Sequence, residues 1–432
     1  MTAVATVDRW PTLVEPVWNL RTRVGAQVSR RLFHAAVHQR DVTVELHEPD
    51  GVILLGRGGP RASIIRPDEF FARLGRDGLI GLGEAYLTGA WESDDLVGFL
   101  TVLAADMAAL IPARLQRLRA LAVRRVPRQH RNTRSGSRNN IAHHYDLSNE
   151  LFTLFLDPTL TYSAGLFDAD LVHRDMHWEA GPPRDVRSEN ALRRAQERKI
   201  DRLLDEAGVG PSTRLLEIGT GWGELAIRAA QRGARVRTIT LSAAQKELAD
   251  QRVAAAGVRD LVTVELCDYR DVRGTYDAVV SVEMIEAVGW QFWPAYFEKI
   301  DQLLVPNGRA VIQAITMPHD RMLASRGTHT WITKYIFPGG ALPSVRALEE
   351  ITRRRTGLRL VNRLDFGLHY AATLRLWDEA FQAAGDEVAR LGFDDTFRRM
   401  WHFYLAYCEA GFAARYIDDN QLTFVKESAD GP

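Results

Sequence analysis

The segment Leu215-Leu216-Glu217-Ile218-Gly219-Thr220-Gly221-Trp222-Gly223 constrains this chain more than any other. A buried strand runs into glycines at alternating positions, and Glu224-Leu225-Ala226-Ile227 then opens a helix. Glycine lets the backbone turn sharply and approach a ligand closely, and a helix N-terminus offers free N–H groups. Gly-x-Gly-x-Gly by itself is compatible with a dinucleotide site, or with a tight strand–helix turn that binds nothing. Here the spacing is not Gly-x-Gly-x-x-Gly, and the second strand ends in Thr240-Leu241-Ser242, without the acid that grips a ribose in the dinucleotide fingerprint. The third strand ends in Cys267-Asp268-Tyr269, with an acid placed to accept from an adenine amino group.

From about residue 190 the pattern is α/β. A charged helix (191–207) precedes RLLEIG, and strands RVRTITL, VTVELCD, YDAVVSVE and RAVIQAI follow, mostly separated by single amphipathic helices. That order predicts a Rossmann-like, mostly parallel sheet with right-handed crossovers. The chain has 432 residues, 46% of them hydrophobic, enough for two or three cores. Residues 1–110 read as a smaller α+β domain for lipid association or dimerisation. Val42 to Gly59 form a hairpin around Pro49-Asp50-Gly51, and a helix opens at Pro67. Residues 111–140 read as a basic helix and linker, and 141–430 as the catalytic domain. Nine arginines and no acid lie between Asp106 and Asp146, which fits a solvated connector or a patch facing anionic headgroups. Nucleic acid is disfavoured, because no aromatic residues interleave with the charge.

Cys267 and Cys408 are the only cysteines, which excludes a disulfide framework or a cysteine-rich zinc site and suits a reducing cytosol. Charge and proline interrupt the N-terminus where a signal peptide needs an apolar run. No stretch reaches the ~18 uninterrupted apolar residues of a spanning helix. The expected location is therefore cytoplasmic, with peripheral contact to the inner face of the membrane, and no metal is expected.

Over about residues 138–425 the sequence resembles the cyclopropane-fatty-acid synthase family, which includes the mycolic acid cyclopropane synthases and related acyl-chain methyltransferases. AHHYDLSNELFTLFLDPTLTYSAGLF, LLEIGTGWGELAI, TITLSAAQ, YDAVVSVEMIEAVG, KYIFPGGALPS and HYAATLRLW carry the resemblance in order. GLGEAYLTGAW is similar to the N-terminal extension of the phospholipid-acting members. The resemblance implies S-adenosylmethionine as cofactor. Tyr145 and Ser163 would lie over its methionine end, with Gly219, Gly221 and Gly223 beneath. Thr240, Leu241 and Gln245 would hold the ribose, and Asp268 and Tyr269 the adenine. Trp222 reads equally as packing or contact, and Glu217 has the acid position typical of this strand.

The resemblance further implies a bicarbonate ion as proton acceptor, cradled at Glu286, Gln313, Tyr370, Ala164 and Ile315. Two positions depart from the family: Ala164 stands for a cysteine that acts through its backbone, and Gln313 for a histidine. Glutamine still donates N–H but cannot shuttle a proton. Glu283 is an extra acid three residues before Glu286. If both are helical they share a face and could bind or replace the anion. The alternative is a salt-bridged acid at a strand end. The implied reaction is methyl transfer to the cis double bond of a phospholipid acyl chain. An alkene attacks a sulfonium methyl to leave a carbocation, which needs apolar and aromatic walls and one proton acceptor. Aromatics such as Tyr335, Phe337, Trp377, Trp401 and Phe403 are plentiful, and most read as core. Because the departures cluster at the acceptor, a methylene branch, reducible by a partner reductase to the tuberculostearic type, is favoured over a cyclopropane. A small-molecule O- or N-methyltransferase and a non-catalytic lipid-binding module are the other classes.

Overall fold

Alternate residues of the strand Arg214–Ile218 feed two cores. Leu216 and Ile218 join Val279 and Phe297 on one face, and Leu215 joins Val280, Leu225 and Val253 on the other. A sheet covered on both faces needs such near-continuous apolar strands. The computed structural model describes residues 10–105, 127, 132–133, 148–174 and 177–428. Apart from Pro127, Asn132 and Thr133, the basic segment 111–140 lies outside the described residues, and so does Tyr145.

The chain divides into two units. One comprises residues 126–328, 337–377 and 417–432. Counting the strands of the chain in order, it holds β5 (Leu171–Arg174), β6 (His177–Ala180), β7 (Arg214–Ile218), β8 (Arg235–Thr240), β9 (Val262–Leu266), β10 (Tyr276–Val282), β11 (Leu304–Thr316), β12 (Leu358–Asp365) and β13 (Asp418–Lys426). They form one sheet of order β5-β6-β12-β13-β11-β10-β7-β8-β9. From β9 to β11 every pairing is parallel, and β13 is antiparallel to both β11 and β12. The chain steps outward from β7 to β8 and β9, then returns to the other side of β7 with β10. Ligands of open α/β sheets bind at such a switch point, outside the carboxyl ends of the strands.

The other unit comprises residues 1–125, 329–336 and 378–416. Its sheet, of order β2-β1-β3-β4, is built from β1 (Thr43–Glu48), β2 (Gly51–Gly56), β3 (Arg61–Ile64) and β4 (Trp91–Ser93), with the expected hairpin between β1 and β2. A linear boundary near residue 110 does not describe this unit, because two later segments belong to it. The helix Leu96–Ala105 is apolar almost throughout and packs on the helix Asp395–Ala413. Glu84, fully buried, accepts from Tyr335 Oη at 2.9 Å and Arg76 Nη2 at 3.1 Å, and pairs with Lys334. An unpaired buried carboxylate would cost several kcal/mol, on the order of the 3–5 kcal/mol seen when such pairs are broken. These partners therefore tie GLGEAYLTGAW to the Lys334-Tyr335 pair. Trp401 and Phe403 are core residues here: Trp401 stacks on Phe397, and Phe403 meets Trp91 and Trp331 edge-on.

Candidate active site

The glycine loop follows β7. Gly219, Gly221 and Gly223 have φ of +100°, +51° and +92°, a region L side chains rarely occupy. The N–H groups of Gly219 and Thr220 both donate to the Ile239 carbonyl at 3.0 Å, which locks the turn against β8. A Cβ added at Gly219 would lie 2.6 Å from the Met284 side chain, whereas one at Gly221 would meet nothing within 4 Å. The loop is thus closed at its base and open at its middle, as a ligand-facing loop must be. Trp222 is buried, donates to Asn149 Oδ1 at 2.8 Å and packs on Phe152 at 5.0 Å, so it is a packing residue.

After β8, Ser242 caps the next helix by accepting from Gln245 N at 3.2 Å, and Thr240 Oγ1 donates to Gln245 Oε1 at 2.9 Å. This holds the Gln245 carbonyl and leaves its amide N–H groups to donate elsewhere. After β9, Asp268 is buried and its carboxylate takes Arg270 Nε at 2.8 Å and Nη2 at 2.6 Å. Arg270 was not singled out in the sequence, and any adenine donor at Asp268 shares the carboxylate with it. Tyr269 packs edge-on to Tyr296 at 5.1 Å. These residues surround the carboxyl ends of β7, β8 and β9.

The acid chemistry lies at the ends of β10 and β11. Glu283 is not helical. It follows β10 with φ +50°, so the two glutamates do not share a helix face as expected. A non-glycine residue held at positive φ costs about 1–2 kcal/mol, and surrounding contacts must hold it there. Those contacts are neutral donors, not the cation of a salt bridge. Ala164 N donates to Oε1 at 2.9 Å, Gln313 Nε2 to Oε1 at 2.9 Å, and Tyr370 Oη to Oε2 at 2.7 Å. Hydrogen bonds to a charged group contribute about 1.5–3 kcal/mol each, and they favour the ionised carboxylate that burial opposes. Glu286 sits in the short helix Ile285–Val288, where Ile315 N donates to its Oε1 at 2.5 Å. Its Oε2 is buried with no hydrogen-bond partner. Burial, with the charge of Glu283 beside it, pushes Glu286 up to about 8. The pair shares one negative charge, and the donor count assigns that charge to Glu283 and the proton to Glu286.

Gln313 spends its other N–H on Asp419 Oδ2 at 2.8 Å and accepts from Gln421 at 3.2 Å, so its hydrogen-bonding capacity is used. Burial, with the charge of Glu283, holds Asp419 well above the ordinary range. Lys199, fully buried, donates to Ser163 Oγ at 2.7 Å. Burial lowers it to about 8, against the pull of Glu283 and Asp419. The segment carrying Ser163 and Ala164 is fixed from the helix Gly367–Ala383. Phe167 N donates to His369 Nδ1 at 3.0 Å, and Gly165 N to Thr373 Oγ1 at 3.1 Å. His369 therefore accepts at Nδ1 and donates from Nε2 to the Gly181 carbonyl at 3.0 Å, and burial lowers it to about 4. The HYAAT segment thus supplies both the Tyr370 hydroxyl and the anchors that aim Ala164 N. Trp377 stands 6.1 Å from Tyr370 and 5.2 Å from Tyr162, and Phe152 adds a further ring 5.1 Å from Tyr162.

Sequence reasoning missed Lys199, Asp419, His369 and Thr373. Each is a polar residue that only tertiary contact buries, and AQERK on an otherwise charged helix reads as solvated. Glu217 also lies buried beneath the site, with one oxygen unpartnered, and burial pushes it up to about 8. A carboxyl raised in the folded state binds more protons there than in the unfolded chain between about 4.5 and 8. Its stabilisation is therefore complete at low pH and lost as pH rises through that window, with a slope of up to ~1.4 kcal/mol per pH unit. Glu217→Gln should consequently gain stability relative to the wild type as pH rises from 5 to 8 in denaturant melts. A difference independent of pH would show that Glu217 is ionised in the fold.

The profile of the mycolic acid cyclopropane synthetase family matches residues 132–422. Over 424 residues the chain is 50% identical to tuberculostearic acid methyltransferase UfaA1 of Mycobacterium tuberculosis, covering 97% of this chain and 96% of that protein. It is 33% identical over 392 residues to cyclopropane-fatty-acyl-phospholipid synthase of Escherichia coli, covering 90% and 93%. Among solved structures, mycolic acid cyclopropane synthase CmaA1 complexed with SAH and CTAB matches with a TM-score of 0.58 at 31% identity, over 67% of this chain and 98% of that one.

Proposed function

This chain belongs to the mycolic acid cyclopropane synthetase family, and we propose that it methylates the cis double bond of an unsaturated phospholipid acyl chain, giving a methylene branch of the tuberculostearic type. The donor is S-adenosylmethionine, which supplies an electrophilic methyl group. Gly219, Gly221 and Gly223 would carry its methionine end with Ser163; Tyr145, expected in that set, lies outside the described residues. Thr240, Leu241 and Gln245 would take the ribose, and Asp268 and Tyr269 the adenine. The open middle of the loop at Gly221 supports this fit.

The observation that carries the reading is the carboxylate of Glu283 held by Ala164 N, Gln313 and Tyr370. These are three of the groups expected to cradle a bicarbonate, and each already donates to Glu283. A bicarbonate ion therefore does not fit this cradle, and the proton acceptor is built into the chain. Once methylated, the acyl chain carries a cation beside the new substituent. Trp377, Tyr370 and Tyr162 offer ring faces that stabilise it without trapping it. A hydride shift moves the cation to the methylated carbon, and Glu283 takes one methyl proton, leaving a methylene group and a neutral carboxylic acid. Burial holds Glu283 above the ordinary carboxylate range, against the pull of its donors, so it is a competent base. Both of its oxygens are pinned by those donors, so it cannot move to follow the new methyl group, and the hydride shift has time to precede ring closure, which favours the branch over the cyclopropane. A reductase acting on the methylene product would complete the methyl branch. The unit of residues 126–328, 337–377 and 417–432 would hold this chemistry, and the enzyme would meet its substrate as a peripheral protein on the inner face of the membrane.

The test is expression in a host whose phospholipids carry oleoyl chains and no branched ones. Ring and methylene products are isomers of equal mass, so proton NMR of the isolated esters decides between them. Vinylidene protons are expected. Cyclopropyl protons alone would overturn the branch assignment, and unmodified lipids from a folded, cofactor-binding protein would overturn the substrate.

A further inference from the structure

The helix Leu20–His38 carries an apolar face on each side. Its inner face packs on the helix Pro67–Asp77. Ser29 Oγ donates to the Phe71 carbonyl at 2.8 Å, and Phe33 meets Phe70 edge-on at 5.2 Å. A Cβ added at Gly75 would lie 2.4 Å from the Gly25 carbonyl oxygen, so the two backbones run in contact. The outer face is unlike that of an ordinary surface helix. Leu20, Val24 and Val28 stand one turn apart and are 79%, 53% and 51% exposed, and Trp18 just before the helix is 46% exposed. Exposed apolar rows of this kind mark an interaction surface. Arg21, Arg23 and Arg31 are exposed beside that row.

Charge says what the surface meets. From Pro16 to Arg40 the chain has five arginines and no acidic residue. Of the acids on the packed elements, Glu48 is engaged with Arg30, and Glu69 with Arg66 and Arg73. Glu15, before the helix, and Asp68, in the groove beside Trp18, are exposed, and both lie at the edge of the row rather than on the helix that carries it. A second copy of this chain seated on the face about a two-fold axis would bring arginine against arginine. The stretch between Asp106 and Asp146 bears nine arginines and no acid, so it too is repelled from the face rather than suited to cover it. An anionic lipid surface satisfies both features. It takes valine and leucine into the acyl boundary, tryptophan at the headgroup level, and arginine against phosphate.

We propose that the outer face of the helix Leu20–His38, with Trp18, is the surface by which this protein docks on anionic phospholipid bilayers. The proposal rests on the phospholipid reading above and names how the enzyme reaches that substrate.

The full-length protein and two variants, Leu20→Asp/Val24→Asp/Val28→Asp and Arg21→Ala/Arg23→Ala/Arg31→Ala, are compared for co-sedimentation with two vesicle types. One is phosphatidylglycerol and phosphatidylcholine in equal parts, the other phosphatidylcholine alone. Wild type should bind the anionic vesicles, less at high salt. The aspartate variant should bind at least ~10-fold more weakly, and the alanine variant should lose about fivefold for each arginine, with a flatter salt dependence. Both should keep wild-type turnover on the same phospholipid dispersed in detergent and lose turnover on vesicles. Variants that bind vesicles like wild type overturn the proposal while leaving the reaction standing. Variants that change oligomeric state, or that lose thermal stability without losing vesicle binding, also overturn it, because another copy or the chain's own residues then cover the face. Absence of methylation by wild type in either form of lipid overturns the phospholipid reading itself.

Discussion

Glu283→Gln should lower kcat by ~10²–10⁴-fold while leaving S-adenosylmethionine affinity near wild type. The amide has nearly the shape of the carboxylate, so packing survives, but it accepts no proton and places no negative charge near the cation. The lost interaction exists mainly in the transition state, which is why the loss belongs in kcat. Glu286→Gln should cost far less. Glu286 is pushed up to about 8 and holds its proton near neutrality, so the amide replaces one neutral group by another. Glu283→Ala gives the sharper result. It empties the position between Ala164 N, Gln313 and Tyr370, so added bicarbonate or formate should restore part of the turnover. With bicarbonate in place of a tethered carboxylate, the product should shift toward the ring. Calorimetry for the cofactor and single-turnover assays with and without the added ion check these outcomes. A fully active Glu283→Gln enzyme would refute the built-in acceptor. Equal losses at Glu283 and Glu286 would mean that both ionise during turnover.

Much of the catalytic unit was legible because its strands are apolar runs ended by turn residues. RLLEI, RVRTIT and YDAVVSV each form where their pattern predicts. The cradle was legible only by resemblance, as positions. Its occupant was not. Whether Glu283 lies on a helix or in a left-handed turn depends on a single φ, and no periodicity encodes one residue. Lys199 shows a second limit. Its helix Ala191–Glu206 is strongly charged, and only the docking of that helix under Ser163 buries the amine. The division into units shows a third. The pattern of Asp395–Ala413 predicts a buried face but does not say against which element, and its partner proves to be the helix Leu96–Ala105, about 300 residues earlier.

Gly221→Val should abolish measurable S-adenosylmethionine binding in a protein that still folds. The two halves of that result have different causes. Valine at φ +51° is strained by about 1–2 kcal/mol, more than alanine would be because its β-branch restricts χ1 against the loop. That is a fraction of a typical domain stability of 5–15 kcal/mol, and a Cβ at this position meets no atom within 4 Å, so the apo fold should survive with a lowered Tm. On the proposed reading, the same open space is where the methionine end of the cofactor would lie against bare backbone. The valine methyl groups would fill it, and the strained turn would re-aim the N–H groups that precede the helix Glu224–Gln231. Gly219→Ala supplies the contrast. Its Cβ collides with Met284, one residue after Glu283, so it should disturb the fold and the acceptor together. Calorimetric titration of folded Gly221→Val with S-adenosylmethionine decides the matter. Wild-type affinity there would remove the cofactor from this loop, while an unfolded Gly221→Val beside a folded Gly221→Ala that binds weakly would leave the assignment in place.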